Sequence, residues 1–297
     1  MEKNILGLIG NTPIVKLNKL GENIFLKLEG KNPGGSVKDR AVLKIVETME
    51  KNGEINKDTV LIEATSGNFG ISLAMIGKLK GYKVNVVMPE SMSQERKDLI
   101  RAYGAELILT SAEKGMQGAV DKVNEIIKEN KNYKGMEQFK NPANQEAHYE
   151  KTGPEIYKEI PDADIFVAGI GTGGTITGTA RFLKEKNKNI KIIGVEPKTS
   201  PMISEGYAGA HKIQGIGANF VPEVLDKSLI DEYILVSSED AFKTAKLLMR
   251  EEGISAGISS GANVFAAMEI SKKYPGKKIV TISPDGAEKY ISMGILD

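Results

Sequence analysis

The chain has no cysteine and only two histidines in 297 residues. Without cysteine there is no disulfide framework, thiolate-bound zinc, iron–sulfur cluster or thiol nucleophile. Neither His148 nor His211 belongs to a metal-ligand pattern. Local hydrogen bonding is the expected role for both, and no metal is expected. Charge of one sign is also missing: 40 Lys+Arg stand against 39 Asp+Glu, a formal net charge of +1. That balance leaves no electrostatic footprint for nucleic acid or an anionic membrane. The opening Met1–Pro13 has no sustained apolar stretch, and no run approaches the ~18 apolar residues of a membrane span. A soluble, cytoplasmic protein is the expectation. No repeat or low-complexity linker marks a domain boundary, although the length suffices for one large or two modest domains.

What is present is an alternation. Short apolar, β-branched runs recur at Ile24–Leu28, Val60–Ile62, Val84–Met88, Leu107–Leu109, Ile165–Val167, Ile192–Val195, Ile234–Val236 and Ile279–Ile282. Stretches with helical spacing lie between them. Leu99, Ile100 and Tyr103 share a face within 93–103, and Met116, Val120, Val123, Ile126 and Ile127 form a stripe within 113–130. The segment 238–253 opens on a capping serine and closes on glycine. Strands alternating with helices predict α/β layers with largely parallel sheets, and ligands at the carboxyl ends of the strands.

Three strand-to-helix loops carry the functional signal. Lys31–Arg40 (KNPGGSVKDR) is punctuated by Pro33, Gly34 and Gly35; Ser36 can cap a helix whose first turn holds Lys38. Thr65–Gly70 (TSGNFG) sets small polar residues at a helix start, where N–H and hydroxyl donors suit a carboxylate. Gly169–Thr175 (GIGTGGT) combines glycines, which permit close backbone approach, with the hydroxyls of Thr172 and Thr175, a pattern suited to phosphate. In isolation each loop also reads as an ordinary lysine-bearing helix start or packing turn.

Two further patterns compete. Gly169, Gly171 and Gly174 match G-x-G-x-x-G, and Glu196 falls near the position of a ribose-binding carboxylate, so a nicotinamide-binding protein is a local alternative. Gly257–Gly261 (GISSG) matches the serine nucleophile elbow. In that family the catalytic histidine follows the serine, whereas His148 and His211 both precede Ser259. Near the carboxyl end, Gly286, Lys289 and Tyr290 suit either a pocket wall or a turn.

Taken in order, the blocks resemble the cysteine synthase family, the O-acetylserine sulfhydrylases among fold type II pyridoxal-phosphate-dependent enzymes. The resemblance is carried by NPGGSVKDR (32–40), TSGNFG (65–70), MPESMSQERK (88–97), EQFKNPANQEAH (137–148) and GIGTGGTITG (169–178). It continues through GVEP (194–197), QGIGANFVP (214–222), GISSGA (257–262) and SPDGAEKY (283–290), covering essentially the whole chain.

The resemblance implies two open α/β domains facing one cofactor cleft: a smaller one over 35–141, and a larger one formed by 1–34 with 142–297. It implies that Lys38 carries the cofactor as a Schiff base, which requires a neutral amine, and later shuttles the substrate's α-proton. Gly171, Thr172, Gly173, Gly174 and Thr175 would cup the phosphate. Asn68 would bond the ring hydroxyl, and Ser259 would face the pyridine nitrogen, where a neutral hydroxyl tempers the electron sink. Thr65, Ser66, Asn68 and Gln138 would hold the substrate carboxylate, with Phe69 completing the substrate loop. The implied reaction is β-replacement: O-acetylserine plus sulfide gives cysteine plus acetate. A homodimer, and docking of the carboxyl terminus of serine acetyltransferase in the cleft, come with the family.

The sequence also departs from the family. Phe69 stands where the substrate loop usually ends in threonine, Asn219 where glycine is common, and Glu223 follows Pro222. These changes keep open a cysteine-consuming β-replacement that releases hydrogen sulfide and yields serine, lanthionine or a related thioether. A non-enzymatic alternative is a serine acetyltransferase partner or amino-acid sensor. Phe69→Thr is expected, on the sequence, to raise the preference for O-acetylserine over cysteine.

Overall fold

In a computed structural model, residues 4–65 and 67–295 are described. The strands are β1 (Ile14–Lys16), β2 (Ile24–Leu28), β3 (Val60–Ala64), β4 (Lys83–Pro89) and β5 (Glu106–Thr110), then β6 (Tyr133–Gly135), β7 (Ile165–Gly169), β8 (Lys191–Pro197), β9 (Glu232–Val236) and β10 (Ile279–Ser283). The helices are α1 (Lys38–Lys51), α2 (Asn68–Leu79), α3 (Gln94–Ala102), α4 (Gly115–Glu129) and α5 (Ala143–Ala147), then α6 (Gly153–Glu159), α7 (Gly174–Lys186), α8 (Ser238–Glu252) and α9 (Ile258–Lys273).

The strands form two sheets. One runs β1-β2-β10-β7-β8-β9, parallel except where β1 pairs antiparallel with β2; the other runs β5-β4-β3-β6, wholly parallel. Every run expected to be a strand is one. Those at the sheet centres, such as VLIEA in β3 and IVTIS in β10, have almost no exposed side chain. Both faces of a parallel sheet are covered, so such strands read as continuous apolar runs. β1 and β6, three residues each, were not anticipated, because so short a segment carries no periodicity.

Apolar cores lie on both faces of each sheet. On the larger, one core contains Ala245 and Leu248 of α8 with Val264 and Ala267 of α9, and another contains Ile156 of α6 with Ile176 and Ala180 of α7. On the smaller, one contains Val42 and Val46 of α1 with Leu73 and Ile76 of α2, and the other Ala119 and Val123 of α4. The stripe on α4 is narrower than expected: Met116, Val123, Ile126 and Ile127 pack inward while Val120 is exposed. The cap of α8 is Ser237, one residue earlier than Ser238; its hydroxyl accepts the N–H of Asp240 at 3.0 Å, and Gly253 closes the helix at φ +67°. Among the described residues, no helix is long and apolar enough to cross a membrane.

Candidate active site

The loops after β2, β3 and β7 meet in one cleft between the two sheets. Its walls include Lys38, Asn68, Gly171, Thr172, Gly173, Thr175 and Ser259.

Lys38 opens α1, and its neighbours explain the stability of its position. The N–H of Lys38 donates to Ser36 Oγ at 3.2 Å, although Ser36 does not cap α1: the flanking residue is Val37, one position later, and makes no side-chain cap. Asp39 accepts the N–H of Gly34 (2.6 Å) and the hydroxyl of Ser72 (2.5 Å), folding the Pro33–Gly35 turn back on the helix. Gly35 takes φ +76°, and Lys289 Nζ holds the turn by donating to the carbonyl oxygens of Gly34 and Gly35 at 3.2 and 2.8 Å. Arg40, fully buried, grips Glu29 through Nε (2.6 Å) and Nη2 (2.8 Å) and Glu155 through Nη1 (2.7 Å). Burial alone would raise the Glu29 carboxyl, but the Arg40 guanidinium overcomes it and holds the group down at about 2. The first turn of α1 is thus pinned to the larger sheet. Lys38 Nζ reaches to 3.4 Å from Thr172 Oγ1, and burial pulls its pKa down to about 8. A useful fraction of this amine is neutral near physiological pH, as a nucleophile or base requires.

In the second loop, Thr65 is buried and its Oγ1 accepts the Gly67 N–H at 3.3 Å. Ser66 lies outside the described residues. Asn68 donates through Nδ2 to Asp285 Oδ2 at 2.7 Å; its Oδ1 is buried and has no partner among the described residues. Asp285 also accepts the Tyr290 hydroxyl at 2.6 Å. The side chain of Phe69 runs the other way: it is 1% exposed, within the core of the smaller sheet with Val86 and Ile100, and does not line the cleft. The expectation that its ring shapes the side-chain pocket is therefore corrected. As the second residue of α2, Phe69 buries its large apolar ring on the core-facing side of the helix.

Gln138 does not reach the cleft lining either. It is buried beside Glu63, which accepts the N–H groups of Glu137 (3.0 Å) and Gln138 (3.4 Å) and so shapes this loop, with Glu137 at φ +53°. Burial pushes the Glu63 carboxyl up to about 7.

In the third loop Gly173 takes φ +85° and precedes α7, whose first turn begins at the cleft wall with Gly173 and Thr175 in the lining and the Gly174 N–H donating to Thr172 Oγ1 at 3.4 Å. A Cβ on Gly171 would strike the carbonyl oxygen of Gly215, and one on Gly174 would strike Asn144 Oδ1. Gly174 itself lies behind the lining. At the start of α9 the two serines separate: Ser259 faces the cleft, whereas Ser260 donates to the carbonyl oxygen of Asp285 (3.1 Å) and accepts from Ser283 (2.9 Å).

The competing motifs dissolve in three dimensions. The buried Glu196 carboxylate already accepts the N–H groups of Ile203 (2.7 Å) and Ser204 (2.9 Å), which removes it as a ribose ligand. His148 bonds Thr152 and Thr175, and His211 bonds the Gly217 carbonyl, so neither serves Ser259. Tyr290 and Lys289 act as braces through Asp285 and the Gly34–Gly35 turn. Sequence reasoning missed Asn144, Asn263, Asp285 and Glu63, since lone amides and carboxylates carry no local signal of a partner distant in the chain.

The cleft suits pyridoxal phosphate. It offers a glycine cradle at a helix N-terminus for a phosphate and a half-buried amine of lowered pKa for an aldehyde. An uncharged hydroxyl faces it at Ser259, and the buried acceptors Asn68 Oδ1 and Asn263 Oδ1 are unsatisfied among the described residues.

Residues 5–285 match the family model described as pyridoxal-phosphate dependent enzyme. The chain is 52% identical to cysteine synthase B of Campylobacter jejuni over 98% of each chain. A solved structure of a hydrogen sulfide-producing enzyme from Fusobacterium nucleatum is 49% identical, with TM-score 0.94, over 98% of this chain and 100% of that one. Cysteine synthase from Entamoeba histolytica is 42% identical, with TM-score 0.96, over 99% of this chain and 90% of that one. The chain belongs to the pyridoxal-phosphate-dependent enzymes, within the cysteine synthase family. Its cofactor is pyridoxal phosphate, and the nicotinamide alternative falls.

Proposed function

We propose that the protein is a cytoplasmic, homodimeric cysteine synthase that converts O-acetylserine and sulfide to cysteine and acetate. The observation that carries this reading is Lys38: a half-buried amine of lowered pKa where three loops converge, in a chain half identical to a named cysteine synthase. When bound, pyridoxal phosphate supplies the electron sink that makes the substrate's α-proton removable. In this reading Lys38 Nζ is the attachment point, then the base that takes the α-proton and later returns it. Thr172, Thr175 and the N–H groups at the start of α7 hold the phosphate, with Gly171, Gly173 and Gly174 giving them room. Asn68 bonds the ring hydroxyl, and the neutral Ser259 hydroxyl meets the ring nitrogen without forcing a proton onto it. Thr65, Ser66, Asn68 and Gln138 hold the substrate carboxylate, with Phe69 contributing backbone alone.

Residues 35–141 move as the smaller domain against 1–34 with 142–297, which brings Gln138 to the substrate and limits the access of water. Docking of a serine acetyltransferase carboxyl terminus in the same cleft belongs to this reading. A second reading, cysteine consumed with release of hydrogen sulfide, is favoured by the likeness to the Fusobacterium nucleatum enzyme. The test is paired steady-state kinetics of the loaded enzyme on O-acetylserine plus sulfide and on cysteine alone, with cysteine and sulfide measured separately. A larger kcat/KM for O-acetylserine is expected. The reverse order establishes the second reading, and turnover of neither donor refutes both.

A further inference from the structure

Behind the cleft, outside its lining, the short helix α5 runs into a single π turn at His148–Thr152 before α6. Such turns are rare and often sit at functional sites. Two side chains one helical turn apart reach forward from here. Asn144, 1% exposed, donates through Nδ2 to Thr172 Oγ1 at 3.0 Å and to the carbonyl oxygen of Gln138 at 2.8 Å. Its Oδ1 is buried without a partner among the described residues, packed where any side chain on Gly174 would stand. His148, also 1% exposed, places Nε2 at 3.2 Å from Thr175 Oγ1 and Nδ1 at 2.9 Å from Thr152 Oγ1. Burial, and then the Arg40 charge, pull its pKa down to about 3, so the ring is neutral and offers one donor and one acceptor to two hydroxyls. A Cβ on Gly178 would collide with the carbonyl oxygen of Gln145, so the two backbones pack directly.

We infer that Asn144 is a positioning residue that locks the Gln138 loop to the phosphate loop, with His148 holding the Thr175 hydroxyl from the same segment. One amide spans both loops, so the donor that orders Thr172 also sets the height of Gln138. Filling the phosphate loop then readies the Gln138 loop before any amino acid arrives. This rests on the proposed roles of Thr172, Thr175 and Gln138.

Hydrogen–deuterium exchange on the unmodified protein, cofactor-free against cofactor-loaded without amino acid, tests it. Loading should slow exchange at 171–176 and also at 137–139. Protection confined to 171–176 overturns the coupling and leaves the phosphate reading intact; no protection at 171–176 overturns both. Asn144→Leu keeps the shape and removes the donor without placing a charge beside the phosphate loop. It should move the phosphorus-31 resonance of the bound cofactor and raise KM for the donor amino acid about five- to tenfold, with a smaller change in kcat. An unmoved resonance with unchanged KM in a folded variant refutes the inference. Should the variant not fold, the exchange experiment decides alone.

Discussion

Replacing Lys38 by methionine should stabilise the cofactor-free protein at neutral pH while abolishing turnover. Burial lowers the Lys38 pKa from its ordinary 10.5 to about 8. At 1.36 kcal/mol per pH unit this is about 3 kcal/mol of destabilisation carried by the folded, cofactor-free state. The hydrogen bond to Thr172, long at 3.4 Å, offsets little of it. The sign follows from proton counting. Below about pH 8 the lysine is charged in both states and the full penalty applies. Between about 8 and 10.5 the unfolded chain still binds a proton that the folded one has released, so wild-type stability rises with pH. Methionine has no such titration. Urea unfolding of both cofactor-free proteins should show the variant ahead by about 2–3 kcal/mol at pH 7, with the gap closing as pH approaches 10.5. Loading with cofactor should reverse the order, because only wild type gains the covalent attachment. A gap independent of pH, or a variant less stable at pH 7, would refute the argument that burial tunes this amine.

Other outcomes follow from the buried contacts. Phe69→Thr should lower stability by about 3–4 kcal/mol through lost core packing, seen in denaturant melts, and leave the O-acetylserine-to-cysteine preference within about twofold. A large change in that preference would return the ring to the pocket. Arg40→Met should cost about 3–5 kcal/mol at pH 7, because it strands the buried Glu29 carboxylate. The paired Glu29 has its pKa lowered to about 2, so its stabilisation is present above 4.5 and lost as pH falls through about 2. In the variant burial is opposed only by the Lys27 charge and the Thr12 and Asn32 hydrogen bonds, so that pKa rises from its wild-type value, mild acid should narrow the deficit, and a deficit that widens between pH 7 and 5 would count against the pairing. Ser260→Ala should cost about 1–2 kcal/mol in the same melts, whereas Ser259→Ala should be nearly neutral there and shift the absorption of the bound cofactor. The opposite pattern would exchange the roles of the two serines.

The sequence by itself determined the strand and helix alternation. Buried parallel strands must be continuous apolar runs, and helices between them must carry a stripe, so Val60–Ala64 or Ile279–Ser283 are legible without coordinates. It also determined the three loops, because glycine, small hydroxyls and a helix start are local requirements for approaching a phosphate or carboxylate. Tertiary structure alone decided which way Phe69 points, since the same helix start offers a residue to the cleft or to the core depending on the packing of its far face. It alone separated Ser259 from Ser260, adjacent residues of one type divided by the rotation of α9. It alone brought Asn144 to Thr172, His148 to Thr175 and Asp285 to Asn68, contacts spanning 28, 27 and 217 residues. Such pairs leave no periodic trace, because a hydrogen bond between distant segments constrains two positions in space and neither of their neighbourhoods in sequence.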